Sequence, residues 1–84
     1  MIDEDLIHHV NKSSYRVKVI KTLENYPKIP KDIAADCGIL QNHISNVLTE
    51  LSYLGLIVCI NPEVKKGRVY RITEDGEEML SKLV

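Results

Sequence analysis

Residues 33 to 55, IAADCGILQNHISNVLTELSYLG, constrain the fold more than any other stretch, because they spell a short helix, a glycine turn and a longer helix. In the second helix Ile44, Val47, Leu48, Leu51 and Leu54 recur at steps of three and four, which stacks them on one face at about 100° per residue. That face has to be buried. Asn42, Ser45, Asn46, Thr49 and Tyr53 point the other way, and Glu50 is the only charge on that side. A helix that needed only solubility would usually show Lys and Glu there. Amides and hydroxyls on a rigid helix suit contacts with base edges, since Asn or Gln bonds adenine in bidentate fashion in the major groove. The spacing therefore predicts a helix-turn-helix whose recognition helix covers about 41 to 54.

Eighty-four residues leave room for one small core and argue against a large catalytic cleft. With 44% hydrophobic and 27% charged residues and no low-complexity tract, the chain is expected to fold as a globular unit. The start, MIDEDLIHHV, has neither a basic region nor a long apolar run, and no segment is apolar enough to span a membrane, so a cytoplasmic protein is expected. Cys37 and Cys59 form no C-x-x-C pair and read as buried reduced thiols. The net charge of −1 hides a block pattern. Residues 13 to 31 place Arg16, Lys18, Lys21, Lys28 and Lys31 against Glu24 alone, and 51 to 73 place Lys65, Lys66, Arg68 and Arg71 against Glu63 alone. If folding brings the two basic blocks to one side, a nearly neutral chain still presents a positive face to phosphate.

Residues 1 to 12 read as a short N-terminal extension with Ile2, Leu6, Ile7 and Val10 at roughly helical spacing, and 13 to 84 as the main domain. Ser13 or Ser14 is expected to cap a helix running through Asn25, with Tyr15, Val19, Ile20 and Leu23 inward and Arg16, Lys18 and Lys21 largely outward. Pro27 and Pro30 stop it, and Pro30 starts a helix to Cys37, where its missing N–H costs nothing. Gly38 supplies the left-handed turn, and Ile39 inserts behind it. Gly55 closes the recognition helix. A strand over 56 to 60, a loop with a basic tip over 61 to 67 and an alternating strand over 68 to 72 make a hairpin. Thr73 then caps a last helix with acidic residues at its start and Met79, Leu80 and Leu83 as its apolar side. The fold class predicted is α+β, mainly α: three helices, a two-stranded β-hairpin wing and a C-terminal helix.

That order resembles the winged helix-turn-helix regulators of the MarR and ArsR type, archaeal members most of all. The resemblance covers roughly 13 to 83 and is carried by Asp32-Ile33-Ala34, Ile44-Ser45-Asn46-Val47-Leu48, the stretch 51 to 56, and Gly67-Arg68 followed by Tyr70 and Ile72-Thr73. It implies a transcriptional regulator that binds duplex DNA, usually as a dimer, with the third helix in the major groove and the wing on phosphate or the minor groove. Three features depart from the pattern. Ile29 and Leu40 stand where the family often has a Ser or Thr cap, residues 41 to 54 contain no Arg or Lys, and the long dimerising helices have no counterpart, so a homodimer would use the short N-terminal segment and the last helix.

Base contacts are expected from Gln41, Asn42, Ser45, Asn46 and Thr49, although the same residues would serve as an uncharged solvated face. Lys65, Lys66 and Arg68, with Arg16, Lys18 and His43, are the candidates for phosphate or the minor groove; a charged hairpin tip also serves solubility alone. Tyr15 and Tyr70 read as core rings rather than stacking platforms. His8 and His9 with Cys37, His43 or Cys59 are the one conceivable metal set, but the Cys pair of ArsR-type metal sensors is missing, so neither metal nor cofactor is expected. No nucleophile elbow, phosphate loop or carboxylate pair suggests an enzyme. The alternative to a DNA-binding regulator is a winged-helix docking module for another protein, which suits a recognition helix without cations.

Overall fold

The computed structural model describes residues 2–84, so the first residue of the 1 to 12 segment lies outside the described residues. The chain runs α1 Glu4–Asn11, α2 Ser14–Thr22, α3 Pro30–Cys37, α4 Gln41–Tyr53, β1 Ile57–Cys59, β2 Tyr70–Ile72 and α5 Glu74–Leu80. Five helices and one antiparallel hairpin make the mainly helical winged-helix architecture expected from the sequence. Asp3 starts α1 by accepting a hydrogen bond from the Leu6 amide at 2.8 Å, and Ser13 does the same for α2 from the Arg16 amide. Val10 of α1 is fully buried in the common core with Val19, Ile20, Ile33, Ile44, Leu51 and Met79.

The helix-turn-helix is α3, Gly38 and α4. Gly38 takes φ +68°, and its neighbour Ile39 is buried beneath the turn. Ile44, Leu48 and Leu51 of α4 are each at most 2% exposed, which fixes the rotation of the helix about its axis. Val47 and Leu54, also expected on the buried face, pack at the margin of the core and stay half-buried.

Several boundaries move. The helix expected to reach Asn25 ends at Thr22, because Pro27 biases the residue before it away from helical geometry and the chain has to straighten by Lys28. Lys28 and Tyr70 exchange two backbone hydrogen bonds, of 3.0 and 2.9 Å, so a third, single-residue strand joins the hairpin at the outer edge of β2. The strands are three residues each rather than five. Beyond Cys59 the Ile60 amide still bonds the Val69 carbonyl, after which the Asn61 side chain replaces the ladder. The alternation in β2 is as expected, with Ile72 buried, Tyr70 half-buried and Arg71 exposed. Tyr15 is not a core ring: it is 38% exposed and lies against His43, ring centres 6.1 Å apart. Of the cysteines, Cys37 is buried and Cys59 half-buried, and both are free thiols.

The base of the hairpin is welded to the end of α4. The Thr73 hydroxyl donates to the Gly55 carbonyl at 2.7 Å and caps α5 by accepting from the Gly76 amide, while the Thr73 amide donates to Leu56 O. Gly76 makes this possible. A Cβ at that position would run into the Leu56 carbonyl oxygen and come within 2.5 Å of Ile72 Cγ1. Backbone oxygen cannot swing away, so Gly76→Ala is expected to lose about 2 kcal/mol or more, although alanine gains about 1 kcal/mol over glycine at an open helical site. Urea unfolding measures it; a stabilised variant would mean that α5 does not sit this close to Leu56 and Ile72.

Candidate nucleic-acid interface

Burial of the apolar stripe leaves Gln41, Asn42, His43, Ser45, Asn46 and Thr49 all exposed on α4. Ser45 and Thr49 line a groove whose other wall is Lys65, Gly67 and Arg68 of the wing, with Leu48 and Tyr70 at its floor. The polar helix face and the cationic loop thus face one channel. The Thr49 hydroxyl donates to the Ser45 carbonyl at 2.9 Å, so its proton is occupied and its oxygen is left to accept.

The wing owes its shape to two side chains. Asn61 donates through Nδ2 to the Gly67 carbonyl at 3.1 Å and accepts at Oδ1 from the Val69 amide at 2.7 Å, spanning the loop with both ends of one amide. Arg68 donates through Nε to the Val64 carbonyl at 2.7 Å and through Nη2 to the Pro62 carbonyl at 3.3 Å. Its remaining N–H groups stay on the surface, so Arg68 both braces the loop and adds charge. Lys65 and Lys66 are exposed at the tip.

The other candidate cations are placed differently. Arg16, expected to face outward, is turned back into the fold: its side chain is only 20% exposed, Nε donates to Glu50 Oε1 at 2.8 Å and Nη1 to the His9 carbonyl at 2.8 Å. His9 Nε2 lies 2.7 Å from Glu50 Oε2, and because a carboxylate only accepts, the imidazole donates. Lys18 is exposed, beside a shallow depression between α2 and α3 lined also by Thr22, Asp36 and Cys37 and by no wing residue. His43 flanks α4 beside Tyr15. Lys28 is taken up by Asp36 at 2.6 Å and Thr22 at 2.8 Å, which ties the end of α3 to α2.

Two contributors escaped the sequence reading. Asn61 looked like a strand stop before Pro62, and nothing in a linear pattern shows that its amide bridges the loop. Lys31, exposed on α3, lines a second concavity with Gln41, Ala34 and Leu40. Its position one residue inside a helix that begins at Pro30 was the available signal. The expected uncapped starts are present: neither Ile29 at α3 nor Leu40 at α4 makes a side-chain capping bond. Among the described residues no three His, Cys, Asp or Glu side chains cluster as a metal site, and no helix is long and apolar enough to cross a membrane.

Hydrogen bonds from Arg16 first and His9 second hold the Glu50 carboxyl below its usual range. Lys28 pulls Asp36 in the same direction. A carboxyl lowered in the folded state contributes stability that is full above the ordinary carboxylate range and is lost as pH falls through the lowered native value. Glu50→Gln is expected to cost about 1 kcal/mol at neutral pH, since solvent reaches the pair, and to flatten the loss of melting temperature on acidification. Thermal unfolding across a pH series checks this; parallel curves for variant and wild type would remove Glu50 from the account.

No protein-family model matches the sequence, and no curated protein is significantly similar to it. Solved structures are similar in fold. NadR in complex with 4-hydroxyphenylacetate superposes with a TM-score of 0.74 at 26% identity, covering 93% of this chain and 57% of that one. The transcriptional regulator Tm0710 from Thermotoga maritima gives 0.75 at 15% identity, covering 93% and 56%. The MarR family transcription regulator SP03579 gives 0.65 at 22% identity, covering 93% and 58%. The chain spans a little over half the length of these proteins. Its architecture is a winged-helix fold shared with these structures, of which Tm0710 and SP03579 are named transcription regulators.

Proposed function

We propose that the chain binds double-stranded DNA in a sequence-selective way and acts as a cytoplasmic transcriptional regulator, with α4 in the major groove and the 61 to 67 wing on phosphate or the minor groove. The observation that carries this reading is the groove shared by Ser45 and Thr49 of α4 with Lys65 and Arg68 of the wing. Gln41, Asn42, Ser45, Asn46 and Thr49 read base edges, with Thr49 as an acceptor. Lys65, Lys66 and Arg68 supply the salt-sensitive attraction, helped by Lys18 and His43 at the flanks, whereas Arg16 holds α4 in place through Glu50. The likeness in fold to transcription regulators supports the same class of function.

The proposed dimer is a homodimer through α1 and α5, and to bind successive half-sites its two α4 helices have to lie about 34 to 36 Å apart along the duplex. The two ends of the chain already meet: Asn11 bonds the Lys82 carbonyl and the Val84 amide, and Leu6, Ile7, Leu80 and Leu83 keep part of their apolar surface exposed beside this seam.

A specific observation favours a second function, docking onto another protein: the exposed face of α4 carries no cation, and its one charge, Glu50, is engaged within the fold. Fluorescence anisotropy with random-sequence duplex at low and raised salt separates the two, followed by site selection from a random pool. Lys65→Ala and Lys66→Ala are each expected to lower the salt slope by about 1 and to weaken all sequences alike. Asn46→Ala is expected to cost about 1 to 3 kcal/mol at one base position and to relax selectivity there. Wild-type protein that shows no salt-dependent binding but captures a protein partner would replace DNA binding by docking.

A further inference from the structure

Leu40 is 67% exposed and belongs neither to the core nor to the apolar side chains packed against it; Ile39, beside it, fills the space under the turn. It also occupies the N-cap of α4, where Ser, Thr, Asp or Asn would bond a free amide of the first turn and Leu bonds none. The position thus gives up both a cap and the burial of an isobutyl group. Folding explains neither.

A second, separate concavity surrounds Leu40, adjoining the wing groove through neighbouring residues of α3 and α4. On α3, Pro30 borders that groove, and Lys31 and Ala34 border the concavity against Leu40 and Gln41. On α4, Gln41, Ser45 and Thr49 follow one another at steps of four, so a single row runs from the wing cations to Leu40. From Gln41 to Thr49 the helix rises about 12 Å, close to the width of the major groove. At the end of that row away from the wing, the exposed side chain is apolar.

We propose that Leu40 reads the 5-methyl group of thymine in duplex DNA, packing against the one apolar group that any base pair exposes in the major groove. The inference rests on the DNA-binding function proposed above and adds to it the base that this end of the helix selects. Gln41, next along the row, has the amide that pairs with adenine N6 and N7, so the two side chains together suit A·T pairs at adjoining positions. Lys31 lies beside them as a phosphate contact.

The test uses the full chain and a duplex enriched from a random pool, in which each thymine in turn is replaced by deoxyuridine, removing one methyl at a time. Anisotropy is expected to find a thymine whose replacement weakens the wild type about fourfold, the equivalent of about 0.8 kcal/mol for one methyl-sized group. Leu40→Ala is expected to bind the thymine duplex about fourfold more weakly and to make no distinction between thymine and deoxyuridine there. Leu40→Ser should show the same loss of discrimination with a raised melting temperature, because it restores a cap. A wild type that binds duplex yet is indifferent to every deoxyuridine overturns the inference and leaves DNA binding intact. So does Leu40→Ala that still discriminates, or one whose light-scattering mass falls, which would assign the patch to contact with a second copy. Wild type with no salt-dependent duplex binding overturns the function and the inference together.

Discussion

The rotation of α4 about its own axis decides what this protein can present. Ile44, Leu48 and Leu51 are nearly inaccessible, and turning the helix by one residue would drive an amide or hydroxyl into a core that holds no buried polar residue among those described. An unsatisfied polar group there costs on the order of 1 to 3 kcal/mol, a large share of what a domain of this size can spare. Glu50 removes the remaining freedom. Standing at the edge of the buried stripe, it accepts from Arg16 of α2 and His9 of α1, so three helices meet at one carboxylate. The only charge on the polar side of α4 is therefore a structural part.

The wing depends on that placement. Two strands of three residues would not hold together alone. Here they are held at three points: the Lys28 bridge along β2, the Asn61 amide across the loop, and the Thr73 junction at the base. The last is the most consequential. By bonding Gly55 O and Leu56 O, Thr73 fixes the hairpin to the residues that end α4, with Gly55 at φ +79° redirecting the chain. The angle between helix and wing is thus set at the short turn that joins them, which keeps Lys65 and Arg68 opposite Ser45 and Thr49.

Capping divides the helices into two groups. α1, α2 and α5 start on Asp3, Ser13 and Thr73, each accepting a hydrogen bond from the first turn, whereas α3 and α4 start on Ile29 and Leu40 with no such bond. Pro30 compensates at α3, since its ring presets the helical φ and removes one donor. Nothing compensates at α4. The stability given up falls within the helix-turn-helix, beside the concavity that Leu40 and Gln41 line with α3, and such local departures are expected where a surface answers to a partner as well as to its own fold.

The amino-acid sequence by itself determined the elements and their order. Apolar spacing located α3 and α4, Pro30 and Gly38 marked their limits, Gly55 and Thr73 marked the turns around the hairpin, and alternation in 68 to 72 fixed which side of β2 is buried. These are signals read within one or two turns of chain, where geometry is local. The exposed face of α4 was legible for the same reason, because burying one stripe exposes its complement. What only the tertiary structure decided involves partners distant in sequence. Arg16 looked like a free cation until Glu50, thirty-four positions on, was seen to receive it. Lys28 joined the sheet because Tyr70 offered an edge, Asn61 shaped the wing by reaching Gly67 and Val69, and Gly76 was required by the carbonyl of Leu56. Helical and strand periodicity follow from bond geometry repeated along the chain, whereas a hydrogen bond across the fold depends on where two separate elements come to rest.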